Sequence, residues 1–282
     1  MGKLWWIMLA PLLITVIAGL TASCGSGDSG SRGTPVVTGP QGEVQAAIRQ
    51  MVDRYNAKDV AGYLALYTDA GLDKRYHLTR EEAAIVLPDV IGVPPVAIFR
   101  FTQTNVNGDA ADADVLDSAG QVAAQEQFRL VKDAGVWKID DYGRLSAANP
   151  PGRVSVPVSM ADFSFDFDVS LIKDGNVSFK FTNDGLLRHE IILDRIPADL
   201  NLDEALKAGK PPAGAETISF LGIAKPGETK RMVFDGLLAP GRYVLLSFMP
   251  DLSTPAHTLD VARGMRAEFT VPPASPTPEQ SP

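Results

Sequence analysis

The sequence has 282 residues, 45% hydrophobic and 21% charged, a composition that supports a folded body of one large domain or two ordinary ones. A formal net charge of −8 and a pI near 4.9 argue against nucleic acid or an anionic membrane surface as electrostatic partners and leave solubility as the plain reading. The one cysteine, Cys24, excludes an internal disulfide and any cysteine-based zinc site.

Lys3 gives a short positive start, and Leu4 to Leu20 follows as an almost unbroken apolar run before Thr21-Ala22-Ser23-Cys24. A positive start, an apolar core and small residues before a cleavage point define an export signal. A cysteine directly after those small residues resembles the lipobox of bacterial lipoproteins, although Thr21 stands where that motif usually has Leu. The resemblance implies a signal peptide over 1–23, cleavage before Cys24 and acylation (palmitate) of its thiol. The alternatives are a plain secreted protein or an uncleaved anchor, since a run of about 17 apolar residues lies at the lower limit for a spanning helix. The Gly/Ser-rich stretch after Cys24 predicts a flexible tether over 24–40. Two or more acyl chains, at about 0.8 kcal/mol per buried CH₂, give stable anchoring.

Pro150-Pro-Gly marks a second boundary and divides the body into 41–148 and 153–271, with a linker over 149–152. The Pro-rich end, 272–282, predicts an extended tail. In the first part, Val44, Ile48, Met51, Val52 and Tyr55 form one helical stripe. Asp59 caps a second predicted helix carrying Tyr63, Leu64, Leu66 and Tyr67, and Thr79-Arg-Glu-Glu opens a third that stops at Pro88. Four strands follow, at Val96 to Val106, Ala111 to Asp117, Ala123 to Lys132 and Gly135 to Tyr142, with hairpin signals at Asn107-Gly-Asp and Asp133-Ala-Gly. Helices followed by a meander predict an α+β domain with helices on one face of a curved antiparallel sheet.

The opening Ala46-Ala-Ile-Arg-Gln-Met-Val-Asp-Arg-Tyr-Asn and the closing Gly135-Val-Trp-Lys-Ile hairpin resemble the nuclear-transport-factor-two-like (SnoaL-like) superfamily over about residues 41–146. That resemblance implies a cone-shaped cavity, which carries acid–base residues in the enzymes of the group. Candidates are Tyr55, Tyr63, Tyr67, Tyr76 and His77. Read as ordinary packing, Tyr63 and Tyr67 share a helix face with their hydroxyls at the rim, and His77 sits in a charged surface loop, Asp73-Lys-Arg-Tyr-His.

Val154 to Phe269 reads as all-β, with short apolar runs between Pro-Gly and Asp-Gly turn signals, which predicts a β-sandwich. Phe163, Phe165 and Phe167 alternate as on one face of a strand, and Asn201 to Ala208 reads as a short helix. The order Asn183-Asp-Gly-Leu-Leu-Arg-His189, Pro240-Gly-Arg-Tyr243, Ser247, His257 and Gly264-Met265 resembles the cupredoxins, the plastocyanin and azurin family. The resemblance implies a Greek-key sandwich in which His189, His257 and Met265 stand at metal-ligand positions. Ser247 stands where the family has its cysteine thiolate. A neutral hydroxyl cannot supply the strong thiolate bond of a blue-copper centre. The six residues between His257 and Gly264 also exceed the usual family spacing.

Three readings of that frame stay open: a relic whose histidines are satisfied by hydrogen bonds, a redox-silent copper site of His189, His257 and Met265, and a pocket for another ligand. Asp251 and Glu190, close in sequence to those positions, extend the last reading to a harder metal, although Glu190 is expected to face away from its neighbour His189. For the whole chain, the expectation is a non-catalytic, extracytoplasmic lipoprotein anchored in the cell membrane through Cys24, binding a protein or small ligand and no nucleic acid. The alternatives are a copper-handling protein and an enzyme acting in the first cavity.

Overall fold

The structure is a computed structural model that describes residues 37–145 and 148–273. The expected signal peptide, Cys24, most of the tether and most of the tail lie outside the described residues. Among the described residues no helix is long and apolar enough to cross a membrane.

Four helices open the fold: α1 (Gly39–Asn56), α2 (Val60–Leu64), α3 (Asp69–Tyr76) and α4 (Arg80–Val86). The apolar stripe of α1 is fully inside, with Val44, Ile48, Met51, Val52 and Tyr55 buried. Each such side chain contributes about 2 kcal/mol by leaving water. Asp59 caps α2 by accepting from the Gly62 amide, and Thr79 with Glu82 forms a reciprocal capping box on α4. Leu66 and Tyr67 fall beyond α2, because Tyr67 bridges to Ile139 instead of continuing the helix. The expected charged loop before Thr79 is helical: Thr68 caps α3, and His77 ends it in a left-handed conformation at φ 57°.

The strands β1 (Val96–Asn107), β2 (Ala110–Ala119), β3 (Val122–Asp133) and β4 (Val136–Leu145) pair as an antiparallel meander in chain order. Their alternating burial places Ala111, Ala113, Val115, Phe128, Leu130, Trp137 and Ile139 against the helices.

The second part has β5 (Val154–Ala161), β6 (Ser164–Asp166), β7 (Val177–Asn183), β8 (His189–Ile196), α5 (Leu202–Leu206), β9 (Glu216–Ala224), β10 (Thr229–Met232), β11 (Gly241–Leu246) and β12 (Arg266–Val271). They form two four-stranded sheets, β10-β7-β5-β6 and β12-β11-β8-β9, antiparallel except for β5 beside β7. Between the sheets lies an aromatic core in which Phe179 packs against Phe181, Phe234, Phe269 and Phe167. The alternating phenylalanines do not share one strand, because Phe163 turns the chain at φ 69° and β6 spans only Ser164–Asp166; all three still pack toward this core.

β8 is covered on both faces. Ile191 and Leu193 enter the sandwich core, while Ile192 and Ile196 pack under α5 with Leu202, Leu206 and Phe248. The two parts of the fold interlock: Ile223 and Met249 join the core of the helices and meander, and Val122 joins the sandwich core. At the β2–β3 turn Gly120 adopts φ 62°, and a Cβ there would meet the Ile218 carbonyl oxygen at 2.3 Å. Only glycine allows that approach, which lets the Gln121 amide donate to Ile218 at 3.1 Å.

Candidate functional site

His189 begins β8, Ser247 follows the last residue of β11, and Asp260 opens a short 3₁₀ turn over Asp260–Arg263. Gly264, at φ 102°, ends that turn and returns the chain to Met265, whose amide donates to the Asp260 carbonyl at 3.1 Å. This local geometry brings three polar side chains to one buried point. His189 Nδ1 lies 2.7 Å from Asp260 Oδ2, and Ser247 Oγ donates to the same oxygen at 2.6 Å. Ser247 Oγ in turn accepts from the Glu190 amide at 3.0 Å. On the opposite edge of the ring, His189 Nε2 lies 3.3 Å from Asp162 Oδ1, which also accepts from the Leu186 and Leu187 amides.

Burial alone would push the His189 imidazole down, but the flanking Asp260 and Asp162 carboxylates outweigh it and hold it above its ordinary value. Burial opposes the ionised Asp162 too, and the Leu187 and Leu186 amides with His189 hold it below its usual range. The two carboxylates thus favour the protonated imidazole between them. This is not nucleophile chemistry: the Ser247 proton goes to the carboxylate, not to the imidazole, and Ser247 and His189 are both fully buried.

The structure thus brings His189 and Ser247 together through Asp260. Met265 is fully buried in the adjoining sandwich core, its carbonyl accepting from the Ser247 amide and its own amide donating to the Asp260 carbonyl. His257 does not join this set. It sits in the loop closed by the Pro250–Leu259 bridge, partly exposed, with φ 45° and its amide donating to Thr254. Asp251 is engaged by Ser253 and by Arg263 at 2.8 Å. Glu190 is on the other face of β8, fully buried, where its Oε2 accepts from the Phe248 amide at 3.1 Å. Among the described residues no group of three or more His, Cys, Asp or Glu is arranged to hold a metal ion. The donor set does not match a blue-copper centre, since position 247 carries a hydroxyl and the first imidazole nitrogen faces a carboxylate. Sequence reasoning missed Asp260 and Asp162; the visible signal was an Asp within the apolar Leu259-Asp-Val run just before Gly264-Met265.

In the first part, three of the four candidate tyrosines form a buried chain, while the Tyr55 hydroxyl turns to the Val93 carbonyl at 3.5 Å. The Tyr63 hydroxyl lies 2.8 Å from that of Tyr67 and 2.6 Å from that of Tyr76. These hydroxyls are inside the fold, not at a rim, and burial raises the Tyr63 and Tyr67 phenols. Arg75 stacks 4.1 Å over Tyr142, whose hydroxyl donates to Glu126 at 2.6 Å. Asp117 lies in the same small cavity, its carboxyl raised by burial and by the neighbouring Glu126. His77 is paired with Glu228 of the sandwich at 3.1 Å.

Solved structures offer partial likenesses. A sodium-dithionite-reduced auracyanin from the photosynthetic bacterium Roseiflexus castenholzii is 25% identical over 43% of this chain and 98% of its own, with a TM-score of 0.29. An NTF2-like protein from Cytophaga hutchinsonii is 12% identical over 39% of this chain and all of its own, with a TM-score of 0.35. An NTF-2-like protein from Shewanella oneidensis is 10% identical over 37% of this chain and 98% of its own, with a TM-score of 0.32. The chain is similar in part to both kinds of protein. No protein-family model and no curated protein matches it.

Proposed function

We propose that this chain is a non-catalytic binding module, held at the outer face of the cell membrane by a lipid on Cys24. In this reading the first part is a cone-shaped scaffold and the second a degenerate cupredoxin-like Greek-key sandwich. A buried ion pair takes the place of a metal in that sandwich. The observation that supports it most directly is the 2.7 Å contact between His189 Nδ1 and Asp260 Oδ2. A carboxylate on that nitrogen, shared with the Ser247 hydroxyl, satisfies the polar groups that a metal would otherwise engage.

Copper titration of the full chain, with and without His189→Ala, tests the reading. The expected result is weak binding of Cu(I) and Cu(II) that the substitution leaves unchanged. Stoichiometric binding that disappears with His189 would favour the copper-handling alternative. For the anchor, Cys24→Ser is expected to abolish lipid labelling and leave the precursor uncut, and normal processing of that variant would sink the lipid assignment.

A further inference from the structure

A basic cleft runs between the meander and the sandwich, and nothing in the His189 network uses it. Its walls are α3 with Lys74 and Arg75, β4 with Arg144, and β10 with Lys230 and Arg231; its volume is about 150 Å³. Glu228 is the one carboxylate on these walls. That concentration of cations stands out in a chain whose net charge is −8.

The one carboxylate on the cleft walls is already engaged. Glu228 faces His77 at 3.1 Å and Lys230 at 3.2 Å and accepts from the Lys225 amide. Burial opposes its ionisation, but those partners, His77 first, hold it down at about 2. Glu126, in the adjoining cavity, takes the Tyr142 hydroxyl and lies 3.5 Å from Arg75. Lys74, Arg144 and Arg231 make no ion pair among the described residues, and Arg75 Nη1, which faces Glu126 Oε2 at 3.5 Å, makes no hydrogen bond. Burial lowers the Lys230 ammonium; Glu228 draws it back up, and Arg144 and Lys225 press it down again. Five cations thus line a space whose one wall carboxylate, Glu228, is already paired.

We propose that this cleft binds a small, multiply charged oxyanion of the phosphate type, seated between Arg144, Lys230 and Arg231. Such a group offers three strong acceptor oxygens and up to two charges, which suits a lining with the guanidinium of Arg144 on β4 and the cations of Lys230 and Arg231 on β10. A singly charged carboxylate would leave most of these donors without a partner. The cleft is built by both parts of the fold, so an occupant would also hold them together. The proposal is independent of the His189 network, and copper binding and oxyanion binding can fail separately.

The test is calorimetric titration of the full chain at low ionic strength with inorganic phosphate, pyrophosphate and dihexanoyl phosphatidic acid. Saturable binding of at least one of them is expected, weakening with added salt. Arg144→Gln and, separately, Arg231→Gln should each weaken it by roughly ten-fold. Arg231 lies on the edge strand β10 and Arg144 on β4, so a folding defect in one variant leaves the other informative. Tighter binding of pyrophosphate than of the lipid identifies a soluble ligand, and the reverse identifies a lipid headgroup; both support the cleft. Absence of binding by all three, or binding that neither substitution changes, overturns it.

Discussion

The Asp260 carboxylate touches the His189 imidazole at 2.7 Å, with the histidine side chain fully buried and the aspartate only 4% exposed. Removing one partner of such a pair strands a buried charge, which costs about 3–5 kcal/mol. Asp260→Ala should lower the urea midpoint accordingly at pH 6, and Asp260→Asn, which keeps the shape, should cost less. Equal stability of all three proteins would contradict the network.

The same pair sets a pH dependence. The folded His189 binds its proton more tightly than the unfolded chain does, so its contribution is fully present below the unfolded value of about 6.5. It is lost as the pH rises through the higher folded value. Urea unfolding from pH 6 to pH 9 should therefore show a decline in stability that is shallower in Asp260→Asn.

Glu190 acts in the same direction for a different reason. Burial lifts its carboxyl to about 8, the Phe248 amide opposes that rise, and Asp260 and Asp89 add to it. Between about 4.5 and about 8 the folded state holds a proton that the unfolded state has lost, so stability falls with rising pH over that window. Glu190→Gln keeps an acceptor for the Phe248 amide and removes the charge. It should flatten the profile over that window and raise the melting temperature at pH 8.5.

The Tyr63 hydroxyl joins those of Tyr67 and Tyr76. Tyr63→Phe takes a partner from two buried hydroxyls, of which Tyr76 keeps the Arg75 Nε at 3.2 Å, and should cost about 1–3 kcal/mol. Tyr67→Phe, which removes one contact at the end of the chain, should cost less. The ranking of the two melting temperatures checks the arrangement.

Arg188 joins the two parts of the fold, bonding Glu82 at 2.8 Å and the His77 carbonyl oxygen. Both charged side chains are about a quarter exposed, so the pair contributes about 1 kcal/mol or less to global stability. Its effect should be local. In Arg188→Ala, amide exchange should quicken in residues 77–82 and stay unchanged in α1.

Much of the fold was legible because local signals and tertiary packing agree. The stripe from Val44 to Tyr55, the Thr79–Glu82 box and the four meander strands rest on periodicity, capping and turns, which are written locally. Helix α3 was read as a charged loop because Asp73, Lys74 and Arg75 give no apolar stripe; Leu72 and Tyr76 carry its burial, and Thr68 its start. The site was half legible. His189 and Ser247 could be placed from motif order, whereas Asp260 and Asp162 reach His189 across 71 and 27 residues of separation, and no spacing rule encodes such contacts. Glu190 and Asp194 are buried because α5, its flanking loops and the first part of the fold cover the outer face of β8, a property of the assembled chain.

The Gly120 turn links the fold to the order in which the chain is made. Its partner, Ile218, follows roughly 100 residues later, so in a chain that emerges N-terminus first the meander is free before the strand that covers it. During that interval the helices and meander can complete their local pairings, but the patch around Gly120 and Val122 stays open to water until β9 arrives. A folding helper acting on this protein would find its target in that waiting surface.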